Sequence, residues 1–309
     1  MKDKRYYIIG FSFLLLYNGC NNPLGPTTPV LWEQVNAGLS VFSFAVSGAN
    51  LFAANSNGVH LSSNNGKNWV SVNTGLTDTF VTCLTVSGLN LFAGTDHGLF
   101  RSSNNGTSWV EADSGMASQT WVNNFAANGA NLYAATINGV YLSTNAGVTW
   151  EERNNGLMGK GVSSLSVSGT KVLAGAEYGG VFLSTNSGTK WIDVTNNLNY
   201  PYIRTFIISD TNIFALSLGG FSLSTNDGAT WIEYYKGLPS FDSYLYALIK
   251  RDTVLYIGSD KGVFSSNDNG KNWYQLNSGL GDTIVNCFAI SGSYLYAGCS
   301  KGIWRRLVY

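Results

Sequence analysis

The sequence predicts an all-β protein, a seven-bladed β-propeller whose blades are four-stranded antiparallel sheets. Three observations predict it. Seven tryptophans, Trp32, Trp69, Trp109, Trp150, Trp191, Trp231 and Trp273, recur at intervals of 37, 40, 41, 41, 40 and 42 residues, the mark of an internal repeat. Between successive tryptophans the same four pieces return in the same order. Beyond the N-terminal segment, no stretch longer than about ten residues carries helical periodicity.

The first element is an export signal at residues 1–19. Lys2, Lys4 and Arg5 form a basic start and Tyr6 to Leu16 an apolar run of eleven residues, too short for the roughly twenty that span a bilayer. The ending Leu16-Tyr17-Asn18-Gly19-Cys20 resembles a bacterial lipobox, with Tyr17 and Asn18 departing from its usual residues. That resemblance implies cleavage before Cys20 and its lipidation, hence a lipoprotein of the cell envelope, anchored at the outer membrane. Residues 20–30 hold three of the five prolines and read as an extended linker. Residues 31–309 are the propeller.

Within each repeat the first piece alternates apolar and polar residues, as in Val81-Thr82-Cys83-Leu84-Thr85-Val86, the period of a strand. The second is a short apolar run such as Leu91-Phe92-Ala93-Gly94, the third follows a glycine, as in Gly58-Val59-His60-Leu61-Ser62, and the fourth is expected to start at the Trp itself. First strands are expected near Val41, Val81, Val122, Val162, Ile203, Leu245 and Val285. The chain opens on a lone fourth strand at Trp32 and closes on three strands ending at Leu307. Docking the opening strand beside the last three completes every sheet and closes the ring, which is how a propeller avoids bare edges.

Composition agrees. With 14% aromatic and 44% hydrophobic residues the chain buries a sizeable core, and 12% charged residues is well below the roughly 25% of an average soluble chain. The formal charge is zero and no basic block follows Arg5, which excludes the electrostatic footprint of a nucleic-acid binder.

The turn between third and fourth strands carries the strongest motif. It reads Ser62-Ser63-Asn64-Asn65-Gly66-Lys67-Asn68-Trp69 and recurs in six copies, with Asn64, Asn104, Asn145, Asn186, Asn226 and Asp268 at the third position. A short Asx side chain accepts hydrogen bonds from backbone N–H groups just downstream, and glycine allows positive φ. Each Trp, dropped between sheets, removes about 150–250 Å² from water, an upper bound of roughly 4–6 kcal/mol. These turns are scaffold. The motif resembles the Asp-box, or BNR repeat, of sialidases, sortilin-type receptors, xyloglucanases and photosystem II assembly factors, although five of the six copies carry Asn in place of Asp.

The resemblance implies either a binding propeller or a glycosidase. A sialidase of that family grips its substrate with three arginines, and the six arginines after residue 20, Arg101, Arg153, Arg204, Arg251, Arg305 and Arg306, lack its Arg-Ile-Pro signature. A glycoside hydrolase needs two carboxylates across a cleft. Asp78, Asp96, Glu177, Asp242, Asp260 and Asp282 lie in connecting loops, with no pair marked out. No catalytic residue, cofactor or metal is assigned, since His60 and His97 stand apart from any ligand spacing. Cys83 and Cys287 share one repeat position and read as small core residues; Cys287 and Cys299 flank one hairpin that an oxidising compartment would allow to bridge.

The face opposite the Asx turns varies from repeat to repeat. It carries Trp121, Tyr178, Tyr200, Tyr202, Arg204, Phe241, Asp242 and Tyr244, aromatics with scattered charges on loops, which suit recognition of a protein or a glycan. The expectation is a non-catalytic monomer that binds through this face, with a glycoside hydrolase using loop carboxylates as the alternative.

Overall fold

The sheets pair in seven groups of four, each in simple up-and-down order, and the seventh group takes its outer strand from the other end of the chain. The structure, a computed structural model, describes residues 30–308 apart from 160, 218, 241 and 242. Residues 1–19 and Cys20 therefore lie outside the described residues, as do Phe241 and Asp242. The blades span 43–71 (I), 81–111 (II), 122–152 (III), 162–193 (IV), 203–234 (V) and 245–275 (VI), and blade VII joins 285–307 to Glu33–Ala37. In blade VII, Glu33 pairs with Arg305 and Ala37 with Gly302, antiparallel to Gly302–Leu307.

The first strand of every blade packs against the first strands of both neighbours, and contact between Ser43–Ser47 and Val285–Ser291 completes the circuit. First strands therefore line the axis and fourth strands form the rim. All seven second strands share one burial pattern, partly exposed at the first residue and buried thereafter, because neighbouring sheets cover both faces. Crowding explains their small residues. A Cβ on Gly94 would lie 2.6 Å from Cys83 Sγ and 2.8 Å from Val122 of the next blade, and one on Gly298 would lie 2.6 Å from Cys287 Sγ.

Two corrections to the sequence reading concern boundaries. Fourth strands begin one residue after the Trp, as Val70–Ser71 and Val110–Glu111 do, because the Trp turns into the interface between blades before pairing starts. The first strand of blade I starts at Ser43 rather than near Val41. Cys83, Cys287 and Cys299 are free thiols. Burial pushes the Cys83 thiol up to about 12 and raises Cys287 as well.

Inter-blade contact is renewed at each tryptophan. Trp109 Nε1 donates to Val72 O of the preceding blade at 2.7 Å, Trp150 to Ala112 O at 2.7 Å, Trp191 to Arg153 O at 2.7 Å, Trp231 to Val194 O at 2.9 Å and Trp32 to Leu276 O at 2.6 Å. Trp273 is as deeply buried, with its Nε1 unpartnered. Trp69 is the exception in burial. It is only half-buried and its Nε1 bonds to Gly66 O of its own turn, because the strand before it in the ring is the clasp at Glu33–Ala37.

Candidate functional site: the mouth of the central channel

Six first strands open with the same irregularity. Pairing skips one residue between Val81 and Cys83, Val122 and Asn124, Val162 and Ser164, Ile203 and Thr205, Leu245 and Ala247, and Val285 and Cys287. A bulge re-aims the side chain of the skipped residue. The skipped residues are Thr82, Asn123, Ser163, Arg204, Tyr246 and Asn286, and Phe42 holds the corresponding position in blade I. All seven line one cavity of about 590 Å³. Every blade contributes, so the cavity sits on the ring axis, on the face opposite the Asx turns.

Four of the seven do the same structural task. Thr82 Oγ1 donates to Val122 O at 2.7 Å, Asn123 Nδ2 to Val162 O at 2.9 Å, Ser163 Oγ to Ile203 O at 3.1 Å and Asn286 Nδ2 to Val41 O at 3.3 Å. Each short polar side chain thus ties its bulge to the next blade. Arg204, Tyr246 and Phe42 depart from this pattern. The Arg204 guanidinium lies 5.7 Å from the centre of the Tyr246 ring, and Tyr246 stacks on Tyr244 at 6.3 Å with 19° between planes. Arg204 is exposed, and among the described residues it has no hydrogen bond and no ion pair.

Of the face residues named from sequence, Tyr202 and Arg204 line the cavity, whereas Trp121, Tyr178, Tyr200 and Tyr244 are exposed on the surrounding loops. Phe241 and Asp242 lie outside the described residues. Sequence reasoning missed Phe42, Tyr246 and Asn123. The signal was available, since the residues that follow Val41, Val81, Val122, Val162, Ile203, Leu245 and Val285 are Phe, Thr, Asn, Ser, Arg, Tyr and Asn, a row of short polar residues interrupted by two large rings and one cation.

The loop carboxylates are mostly engaged. Glu177, the one carboxylate lining the cavity among the described residues, accepts from Asn123 Nδ2 at 2.8 Å. Asp282 accepts from Ser300 Oγ at 2.8 Å and Lys301 N at 2.7 Å, and Asp260 accepts from Tyr244 N at 3.2 Å. Asp78, Asp96 and His97 come together on the loops of blade II at the face bearing the channel mouth, with ligand atoms within 4.8 Å of one another. His97 Nδ1 lies 3.0 Å from Asp96 and 3.4 Å from Asp78, and these partners raise its pKa, Asp96 foremost. Burial pushes the Asp78 carboxyl up, but the Phe80 N–H and neighbouring side chains outweigh it and hold the group below its usual value.

The architecture is shared with solved structures. The chain is similar to YCF48 bound to D1 peptide, with a TM-score of 0.73 and 15% identity over 93% of this chain and 97% of that one. It is similar to the extracellular domain of the hybrid two-component system BT3049 from B. thetaiotaomicron, with a TM-score of 0.75 and 15% identity over 90% of this chain and 41% of that one. The GH74 xyloglucanase from Xanthomonas campestris matches with a TM-score of 0.68 and 14% identity over 90% of this chain and 53% of that one. At these identities the likeness is one of fold. No protein-family model matches the sequence, and no curated protein matches it either.

Proposed function

We propose that this chain is a non-catalytic binding or assembly propeller, exported and tethered to the cell envelope through a lipid on Cys20, which takes a protein or glycan partner on the face bearing the channel mouth. One observation carries the reading. Among the described residues every exposed large aromatic side chain except Tyr274 lies on that face, with Phe42, Phe80, Trp121, Tyr178, Tyr200, Tyr202 and Tyr244 around the axial cavity, whereas the outer fourth strands expose Val70, Val110, Ile192, Ile232 and Tyr274 and the opposite face Leu89 and Val148. Such concentration of exposed apolar surface marks an interaction site. Among the described lining residues the cavity holds one carboxylate, Glu177, already bonded to an amide, where glycoside hydrolysis asks for two. YCF48, of the same fold, is a peptide-bound protein, which is in keeping with a partner-binding reading.

A photocrosslinking residue placed in turn at Tyr178, Tyr244, Leu89 and Val148 in the native envelope tests this. Adducts are expected from the first two positions and not the others; equal adducts from Leu89 would remove the face assignment. Turnover of aryl glycosides that Glu177→Gln abolishes would replace binding by hydrolysis. Labelling with an alkyne fatty acid is expected on the wild type and lost in Cys20→Ser.

A further inference from the structure

The channel mouth contains one cation released from structural duty. In four blades the bulge residue is short and polar and is consumed by the next blade's main chain, so the scaffold's own requirement at this position is a small hydrogen-bond donor. Arginine in blade V meets no such requirement. Its guanidinium presents five donors, none bonded among the described residues, and it is held against Tyr246, which Tyr244 supports from behind. An aromatic ring under a guanidinium fixes its plane while leaving the donor edge outward. Tyr202, Phe42, Phe44 and Phe288 also line the cavity, with Thr205 and with Glu177, whose carboxylate is bonded to Asn123, so the groups that stand out for a ligand are one oriented cation and a set of aromatic rings.

That inventory separates two kinds of occupant. A glycan presents many hydroxyls and needs many uncommitted polar side chains. Here Thr82, Asn123, Ser163 and Asn286 are bonded to backbone carbonyls, Ser43 Oγ accepts from Leu84 N at 3.1 Å, and Asn124 Oδ1 accepts from Leu165 N at 3.1 Å. A peptide with one carboxylate among apolar side chains matches what remains, since an arginine fork complements a carboxylate and rings take apolar groups. Resting on the binding reading above, we infer that the central mouth is a recognition site for an acidic peptide segment, with an aspartate or glutamate seated on Arg204 and its apolar neighbours against Tyr202, Tyr246 and Phe42.

The test pans a random-peptide display library on the propeller and on Arg204→Glu and Arg204→Lys. Arg204 has no intramolecular hydrogen bond to lose, so both variants are expected to keep the wild-type melting profile, and near-UV circular dichroism checks that they do. Wild type is expected to enrich sequences with an acidic residue flanked by apolar ones. Arg204→Lys retains them more weakly, and Arg204→Glu loses them by on the order of ten- to hundredfold, as a charge-assisted hydrogen bond implies, and selects basic residues instead. Enriched peptides that carry no acid, or acidic ones that Arg204→Glu binds equally well, would overturn the assignment while crosslinks from Tyr178 and Tyr244 still upheld the face. Failure of those crosslinks together with the panning would remove both readings. Binding of an acidic oligosaccharide at the mouth, lost in Tyr246→Ala, with no enriched peptide, would give the site to a glycan.

Discussion

The six Asx turns show how one side chain sets a local geometry. In each, the Ser hydroxyl donates to the Asx oxygen and accepts from the Gly N–H, and the Asx oxygen accepts from the N–H four residues on, as with Ser62, Asn64, Gly66 and Asn68 at 2.9–3.0 Å. Where a hydroxyl stands four residues later, Asn donates to it, a bond whose direction would reverse with Asp, the hydroxyl then donating to the carboxylate. Asn104, Asn145 and Asn226 donate Nδ2 to Ser108, Thr149 and Thr230. Asp268 does the converse, accepting from Asn272 Nδ2 at 2.6 Å, and the bonds from Asn272 depress its carboxyl to about 2. A depressed carboxylate contributes stability above its unfolded pKa and loses it as the pH falls through its folded value. Asp268→Asn is therefore expected to cost about 1 kcal/mol at neutral pH and progressively less as the pH drops from about 4 to 2. Urea midpoints of both proteins across that range measure it; a difference that does not shrink in acid would refute the account.

Between elements, the loop after each fourth strand does as much as the turn before it. Asn73 Oδ1 accepts from Val59 N at 2.7 Å while its Nδ2 donates to Asn57 O at 2.8 Å, clamping strand to strand, and Asn154 and Asn277 repeat the arrangement. Two residues later a glycine meets the next blade's tryptophan. A Cβ on Gly115, at φ 93°, would lie 2.3 Å from Trp150 O. That contact is backbone against backbone and cannot relax by a rotamer change. Gly115→Ala is accordingly expected to lower stability by about 2 kcal/mol or more. Gly88→Ala, at φ 59° with open space around it, carries only the strain of the left-handed backbone, about 1 kcal/mol. Equal losses for the two in thermal or urea melts would show that the Trp carbonyl is not what fixes glycine there. The loop after blade IV is built differently: Asn197 stands in place of the glycine, and its side chain accepts from Trp231 N and donates to Trp231 O, where the other loops offer a main-chain carbonyl to the Trp N–H.

For the whole molecule, the seam between blades VII and I is where the ring is held differently. Trp69, like Trp273, makes no indole bond to the preceding blade, and unlike Trp273 it is only half-buried. Arg305 compensates, donating from Nε and Nη2 to Glu33 at 3.0 and 2.9 Å and from Nη1 to Asn65 O of blade I at 2.7 Å, with Tyr294 beneath it at 4.6 Å. One buried side chain thus joins the last strand, the clasp and the first blade. Arg101, at the same repeat position, makes the single reach to Ala146 O at 3.1 Å. Arg305→Ala is expected to cost about 2–3 kcal/mol and Arg101→Ala less than about 1 kcal/mol, by equilibrium unfolding. A permuted chain that begins at Gly38 and carries residues 31–37 behind Leu307 through an Asx-turn linker is expected to recover most of the Arg305→Ala loss. No recovery would mean that the chain break is not the weak point of the ring.

Blade number, strand order, clasp and turn chemistry were legible in the sequence because each repeat solves the same local problem with the same residues. Turn geometry, period-two alternation and the Trp spacing are short-range properties, and short-range properties are written once per repeat. The face for recognition was legible only as a list of loop aromatics such as Tyr178 and Tyr202. What the tertiary structure alone decided is which residues converge on the axis. Arg204, Tyr246 and Phe42 are about forty residues apart or more along the chain, and a bulge in each of six first strands, invisible to a period-two pattern, turns such residues inward to share one cavity. Closing the ring, not any one repeat, makes them neighbours.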